Sequence, residues 1–98
     1  VLGRLVAAYR SVGNADAASA VIAAYLVYNP SSLLGQRLAA FDLIDRKLWD
    51  QALPTLYRLR ARTGFNDSVL NANIARTLTA LGQHDDAVRE ARLAYHID

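Results

Sequence analysis

Cysteine and methionine are both absent from the 98 residues of this chain. Without cysteine there is no disulfide framework and no cysteine-ligated metal site. A cysteine-free domain suits the cytoplasm and the periplasm equally, so composition leaves the compartment open. Because the chain opens on Val1 inside a helical pattern and has no methionine, we expect it to be a fragment of a longer protein.

Helix breakers and long apolar runs are also scarce. The chain has two prolines, and no stretch approaches the ~18 uncharged apolar residues that cross a bilayer, so this segment is not expected to insert into a membrane. Alanine, leucine and arginine dominate, which favours an all-α fold and a bacterial source. A net charge of +2 is typical of a solvated helical surface rather than of a patch that binds a polyanion.

Groups for catalysis or metal binding are few. His84 and His96 lie about 120° apart around the predicted last helix, so they cannot share a metal ion. Asp85 and Asp86 resemble a carboxylate pair, but their place at the start of a helix explains them through the helix dipole. There is no glycine-rich phosphate loop. We therefore expect no enzyme activity and no cofactor.

Apolar residues recur at helical spacing along the whole chain. The clearest stripe is Leu70, Ile74, Leu78 and Leu81, which Gly82 ends. The same reasoning predicts six helices, near residues 1–12, 16–28, 32–46, 50–62, 67–81 and 85–98. Serines after Asn29-Pro30 and either Asn66 or Asp67 are expected to cap the helices that follow them.

A repeat connects these helices. Ala18, Ala52 and Ala87 lie near the starts of the second, fourth and sixth helices, 34 and 35 residues apart. Five residues before each alanine stand Gly13, Lys47 and Gly82, respectively. Six helices joined by short turns, with this period, indicate stacked helical hairpins.

The chain resembles three tandem tetratricopeptide repeats, a family with a 34-residue period. The matching residues are Leu2, Leu5, Tyr9, Gly13, Ala18, Ile22 and Pro30; Ala39, Ala40, Leu43, Trp49, Ala52 and Leu56; and Ile74, Ala75, Leu78, Gly82, Ala87 and Ala94. Gln36 and Asn71 depart from apolar positions, and Gly64 replaces a proline. The resemblance implies one all-α domain over 1–98, with repeats at about 1–31, 32–66 and 67–98. Its fold would be an α-α superhelix, a right-handed solenoid of three stacked antiparallel hairpins.

In the family that this chain resembles, the first helix of each hairpin lines a concave groove that binds peptides or partner helices. The resemblance places eight residues in that groove: Arg10, Leu34, Arg37, Phe41, Ile44, Asp45, Arg76 and Thr79. Guanidinium groups above an apolar floor would suit an acidic partner with apolar anchors. In the alternative interpretation, the arginines are solvated and Phe41 belongs to the core.

Three functions follow from these expectations. The first is a protein–protein interaction scaffold that binds a peptide or helix of a partner. The second is an architectural or self-association segment, because Val88, Ala91, Tyr95 and Ile97 leave an apolar C-terminal end open to further repeats or to another copy. The third and weakest is a helical-repeat nucleic-acid binder, whose affinity would fall steeply with salt.

Overall fold

Six α-helices make up the computed structural model, which describes residues 2–97 and their side chains as far as Ala94. The helices are α1 (Leu2–Ser11), α2 (Ala15–Tyr28), α3 (Leu33–Asp45), α4 (Trp49–Thr63), α5 (Ser68–Ala80) and α6 (His84–Ile97), and no strand occurs among these residues. The predicted all-α fold with six helices is confirmed. Val1 and Asp98, and the side chains of Tyr95, His96 and Ile97, lie outside the described residues.

Short polar side chains cap the N-termini of three helices. Each accepts a hydrogen bond from a backbone N–H of the first turn, which has no partner within the helix. Asn14 caps α2 by accepting from the Ala17 N–H at 3.1 Å. Ser32 does the same for the Gly35 N–H at the start of α3, at 3.1 Å. Asp67 caps α5 through the Leu70 N–H at 3.0 Å, so Asp67 and not Asn66 is the cap.

The turns after α1, α3 and α5 share one backbone conformation. Gly13, Lys47 and Gly82 have φ values of 76°, 60° and 79°, which lie in the left-handed region. At each turn this residue donates its N–H to the carbonyl three residues back, and the next residue donates to the carbonyl five residues back, at 2.8–3.0 Å. This is the Schellman arrangement, which satisfies carbonyls that the helix end leaves without donors. It recurs where the sequence predicts equivalent turns.

Residues up to Asp42 form one compact unit, and those from Leu43 form a second. In the first unit, α1 packs against α2 around Leu2, Val6, Ala18 and Ile22, all buried. Helix α3 contributes the partly buried Leu38 and Ala39 to the same cluster. Gly35 of α3 lets α2 and α3 approach closely, because a Cβ at this position would lie 2.8 Å from the Leu26 Cδ2 and 3.1 Å from the Tyr25 ring.

In the second unit, α5 packs against both α4 and α6. The predicted stripe of α5 is buried at Leu70, Ile74 and Leu78, and Leu56 and Leu59 of α4 are buried as well. Full burial of one such side chain contributes about 1.5–3 kcal/mol. The apolar stripes therefore supply most of the stability, as the helical spacing predicts. No described helix has both the length and the apolar character that crossing a bilayer requires.

The three turns lead to a prediction about stability. A left-handed conformation costs an L-residue with a side chain roughly 1–2 kcal/mol, and glycine adopts it without a Cβ penalty. We expect Lys47→Gly to raise the free energy of unfolding by about 1 kcal/mol, and Gly13→Ala or Gly82→Ala to lower it by about 1 kcal/mol. A Cβ at either glycine would meet no atom within 4 Å, so the loss would report backbone strain alone. Urea unfolding followed by circular dichroism measures all three changes. A Lys47→Gly variant that is less stable than the parent would contradict a strained left-handed backbone at Lys47.

Candidate functional site

An exposed strip on α3 carries three of the residues predicted for the groove. Leu34 is 49% exposed, and Arg37 and Phe41 are half-buried on the same face, one and two turns further along. The Arg37 guanidinium carbon lies 5.3 Å from the centroid of the Phe41 ring, within the range of a cation–π contact. We call Leu34, Arg37 and Phe41 the α3 surface. The α3 surface therefore combines one positive charge with an apolar and an aromatic side chain.

Arg10, also predicted for the groove, takes part in a polar cluster that links three helices. Its Nη2 lies 3.4 Å from the Oδ1 of Asp42, and the Ser19 hydroxyl donates to the other oxygen of Asp42 at 2.7 Å. Asp42 is 9% exposed, and a buried carboxylate needs such partners. Arg10 therefore helps to fix α1 and α2 to α3, a structural role that the sequence did not predict.

A second exposed strip lies on α5 and includes Arg76 and Thr79. Val69 is 54% exposed, and Ala72, Arg76 and Thr79 are exposed at helical spacing on the same face. We call these four residues the α5 surface. The Arg76 guanidinium carbon lies 5.7 Å from the ring centroid of Trp49, the first residue of α4. The Thr79 hydroxyl donates to the Ala75 carbonyl at 3.0 Å. The α5 surface thus also holds an arginine against an aromatic ring.

The two remaining predicted residues end α3. Asp45 is exposed. Ile44 is only 3% exposed, so it is a core residue, which corrects its assignment to the floor of a groove. The helical repeat explains the difference, because Ile44 lies four residues after the fully buried Ala40 and shares its inward face.

A buried polar network joins α4, α5 and α6. The Arg60 guanidinium is 9% exposed and makes a two-point contact with the Glu90 carboxylate, at 2.5 and 3.1 Å. Arg60 also donates to the Asn71 side-chain oxygen at 3.2 Å, and the Asn71 amide nitrogen donates to the Phe65 carbonyl at 2.8 Å. The guanidinium carbon lies 4.3 Å from the Phe65 ring centroid. Asn71 therefore replaces an expected apolar residue because it completes this network.

Tyr57 borders the network, with its ring centroid 5.4 Å from the Arg60 guanidinium carbon. Partial burial raises the pKa of the Tyr57 hydroxyl above its ordinary value, because a phenolate would lose solvation there. The negative charge of Glu90 raises this pKa further, the positive charge of Arg60 opposes the increase, and Asp86 adds to it. The surroundings of Tyr57 thus favour the protonated form of its hydroxyl.

Candidate sites for metals or small molecules are few in the part of the chain that the structure describes. No group of three or more His, Cys, Asp or Glu side chains there could hold a metal ion. One shallow cavity of about 230 Å³ lies in the second unit, and it is lined by Lys47, Leu48, Trp49, Asp50, Gln51 and Leu81. The sequence did not predict this cavity.

Comparison with solved structures shows that the chain has a helical-repeat fold of the tetratricopeptide-like, solenoid-like class. One similar structure is MamA AMB-1, a protein that contains tetratricopeptide repeats; it matches with a TM-score of 0.80 over 95% of this chain, at 18% sequence identity. The chain spans half the length of that MamA chain. No family model and no curated protein matches the sequence. The predicted fold class is confirmed.

Breaking the buried Arg60–Glu90 pair should cost far more stability than breaking an exposed pair. Removing one partner of a buried pair leaves an uncompensated charge, which costs about 3–5 kcal/mol. We expect Glu90→Ala to lower the free energy of unfolding by about 3 kcal/mol in urea unfolding. Arg89 and Asp86 form the matched control, because their side chains are 74% and 49% exposed and such pairs contribute ~1 kcal/mol or less. Equal losses for Glu90→Ala and Arg89→Ala would contradict the importance of the network.

The raised pKa of Tyr57 predicts a loss of stability at high pH. The unfolded chain releases the Tyr57 proton near pH 10, whereas the folded chain releases it at a higher pH. The protonated hydroxyl therefore contributes fully to the free energy of unfolding below about pH 10, and this contribution is lost as the pH rises through the pKa of the folded state. Tyr57→Phe should therefore flatten the decline in unfolding free energy as the pH rises above about 10. Tyr28→Phe, at a side chain 85% exposed, is the control. A decline that is unchanged in Tyr57→Phe would rule out this effect.

Proposed function

We propose that this chain is a non-catalytic protein-interaction scaffold built from three tandem tetratricopeptide-like repeats. It binds a peptide or helix of a partner protein through the exposed faces of α3 and α5, the first helices of the second and third repeats. The observation that carries this proposal is that an arginine of each surface lies against an aromatic ring: Arg37 of the α3 surface against Phe41, and Arg76 of the α5 surface against Trp49 of α4. The likeness of the fold to MamA, a protein with tetratricopeptide repeats, supports the same class of function.

The chemistry of the two surfaces indicates the kind of partner. A guanidinium group carries its N–H groups in one plane, which matches two-point contact with a carboxylate, and it also stacks on aromatic faces. Leu34 and Val69, 49% and 54% exposed, lie on the same two surfaces and offer area for apolar side chains. The partner is therefore an acidic segment with apolar anchors, whose apolar groups supply affinity and whose acidic groups set its orientation.

The repeat assignment is supported by the turns. Left-handed residues at Gly13, Lys47 and Gly82 recur at the same period as Ala18, Ala52 and Ala87, and all three alanines are buried. A small buried residue in each second helix lets the paired helices pack closely. We take the repeats as about 1–31, 32–66 and 67–98.

Self-association is a second candidate function, and exposed apolar side chains on α6 support it. Val88 is 51% exposed and Leu93 is 39% exposed. Such residues cover an adjoining repeat in a longer array or a second copy of the chain. A sedimentation experiment distinguishes the two, since a monomer at high concentration would remove self-association.

The leading proposal predicts loss of binding when two charges are reversed. The probe is an array of short peptides that carry two Glu and two Leu or Phe residues in all orders and spacings. We expect some of these peptides to bind, and Arg37→Glu with Arg76→Glu to weaken that binding at least tenfold, because both cations become anions. Fluorescence anisotropy measures affinity, and circular dichroism should show an unchanged helical signal.

The matched control is Arg58→Glu with Arg92→Glu. Both arginines are exposed on second helices, α4 and α6, and the substitution makes the same change in net charge. Its affinity should stay within about twofold of the parent. Equal weakening by both pairs would show a general charge effect and contradict a specific surface, and an array without any bound peptide would overturn the proposed function.

A further inference from the structure

The shallow cavity of about 230 Å³ in the second unit lies where α4 begins and α5 ends. We call it the Trp49 cavity, after the half-buried side chain in its wall. Leu48, which is 38% exposed, and Leu81 add apolar lining. The volume is smaller than the ~300–1,000 Å³ of pockets that enclose a small molecule. It is suited to one or two side chains of a peptide.

Lys47 also lines this cavity, and its backbone is unusual. Lys47 is the single non-glycine residue with positive φ among the described residues, whereas the equivalent turns have Gly13 and Gly82. A non-glycine residue held at positive φ costs backbone strain, and such residues cluster at functional sites, so the Lys47 side chain is a candidate for a role. Here that side chain is a cation at the edge of an aromatic cavity.

A second cation stands beside the same ring, since the Arg76 guanidinium carbon lies 5.7 Å from the Trp49 ring centroid. The lining itself holds one cation, Lys47, and one anion, Asp50, and Arg76 adds a second cation beside the Trp49 ring. Asp50 lies in the first turn of α4, where the helix dipole stabilises a carboxylate. The surroundings of the cavity thus combine net positive charge with apolar walls.

We propose that the Trp49 cavity is a binding subsite for an acidic peptide segment. A carboxylate side chain of the peptide lies between Lys47 and Arg76, and a neighbouring apolar side chain packs on Trp49 and Leu81. This inference rests on the proposed scaffold function and identifies one place where the acidic partner is held. It also gives the reason for lysine in the turn between α3 and α4.

Two features of the chain make the subsite directly testable. Trp49 is the only tryptophan in the sequence, so intrinsic tryptophan fluorescence reports on the surroundings of this one ring, which include both the cavity and Arg76. The Lys47 variants separate the two, because Lys47 lines the cavity and is not part of the α5 surface. Lys47→Gly removes the cation while relieving backbone strain, so weaker binding by this variant could not be attributed to unfolding. Lys47→Arg keeps the charge and serves as the matched control.

The experiment titrates the parent chain and both variants with the Glu-containing peptides of the array, and with versions in which Gln replaces Glu. We expect the Glu peptides to shift the Trp49 emission. Lys47→Gly should weaken their binding about threefold to fivefold, the size of one exposed charged contact. Lys47→Arg should bind as the parent does. The Gln peptides should bind the parent and Lys47→Gly equally.

The two possible failures are distinct. If Glu peptides bind and respond to the Arg37→Glu and Arg76→Glu change, while Lys47→Gly binds them as tightly as the parent does, the subsite is overturned and the scaffold function stands. If no peptide of the array binds the parent chain, the scaffold function fails and the subsite fails with it.

Discussion

One residue in the left-handed conformation ends each of α1, α3 and α5, and the period of the chain depends on it. With Gly13, Lys47 and Gly82 in that conformation, the last carbonyls of each helix find donors and the next helix begins within two or three residues. Because these turns are short, the starting positions of α2, α4 and α6 are closely fixed by the ends of the helices before them. The buried alanines Ala18, Ala52 and Ala87 can therefore recur at nearly constant spacing.

The two compact units use different means to hold their helices together. Both bury apolar stripes, but the first also ties three helices through the Asp42 carboxylate, and the second does so through the Arg60 guanidinium. No buried side-chain nitrogen or oxygen among the described residues lacks a hydrogen-bond partner. Buried polar groups with all their hydrogen bonds made favour one arrangement of the packed helices more strongly than apolar contacts do, because hydrogen bonds depend on direction. Such anchoring suits surfaces that must keep their side chains in place for a partner.

Much of the fold could be predicted from the sequence, because helices and their ends are local. The stripe at Leu70, Ile74 and Leu78, the caps and the glycine stops depend on neighbours within a few residues, and the structure has them where the pattern places them. The polar networks could not be predicted, since Arg60 and Glu90 are thirty residues apart. Asn71 was the one visible signal, a polar residue at an apolar position of the repeat.

The exposure of the residues on the candidate surfaces could be predicted only in part, and the reason is physical. Repeat position assigns a residue to a face, but it does not decide how far neighbouring helices cover that face. Leu34 and Arg76 are exposed as expected, Ile44 is buried, and Arg10 is shared with Asp42. The positions of Trp49 and Lys47 around a cavity depend on how α4 meets the end of α5, which the pattern of one helix does not contain.

Under the proposed function, the exposed faces of α3 and α5 hold an acidic partner. Amide chemical shifts measured by NMR during titration with a bound Glu-containing peptide test it most directly. The claim predicts that the changes concentrate at residues 34–41 on α3 and 69–79 on α5, together with the tryptophan side-chain N–H of Trp49. Changes concentrated instead on α2 and α6, with the α3 and α5 amides unmoved, would contradict it.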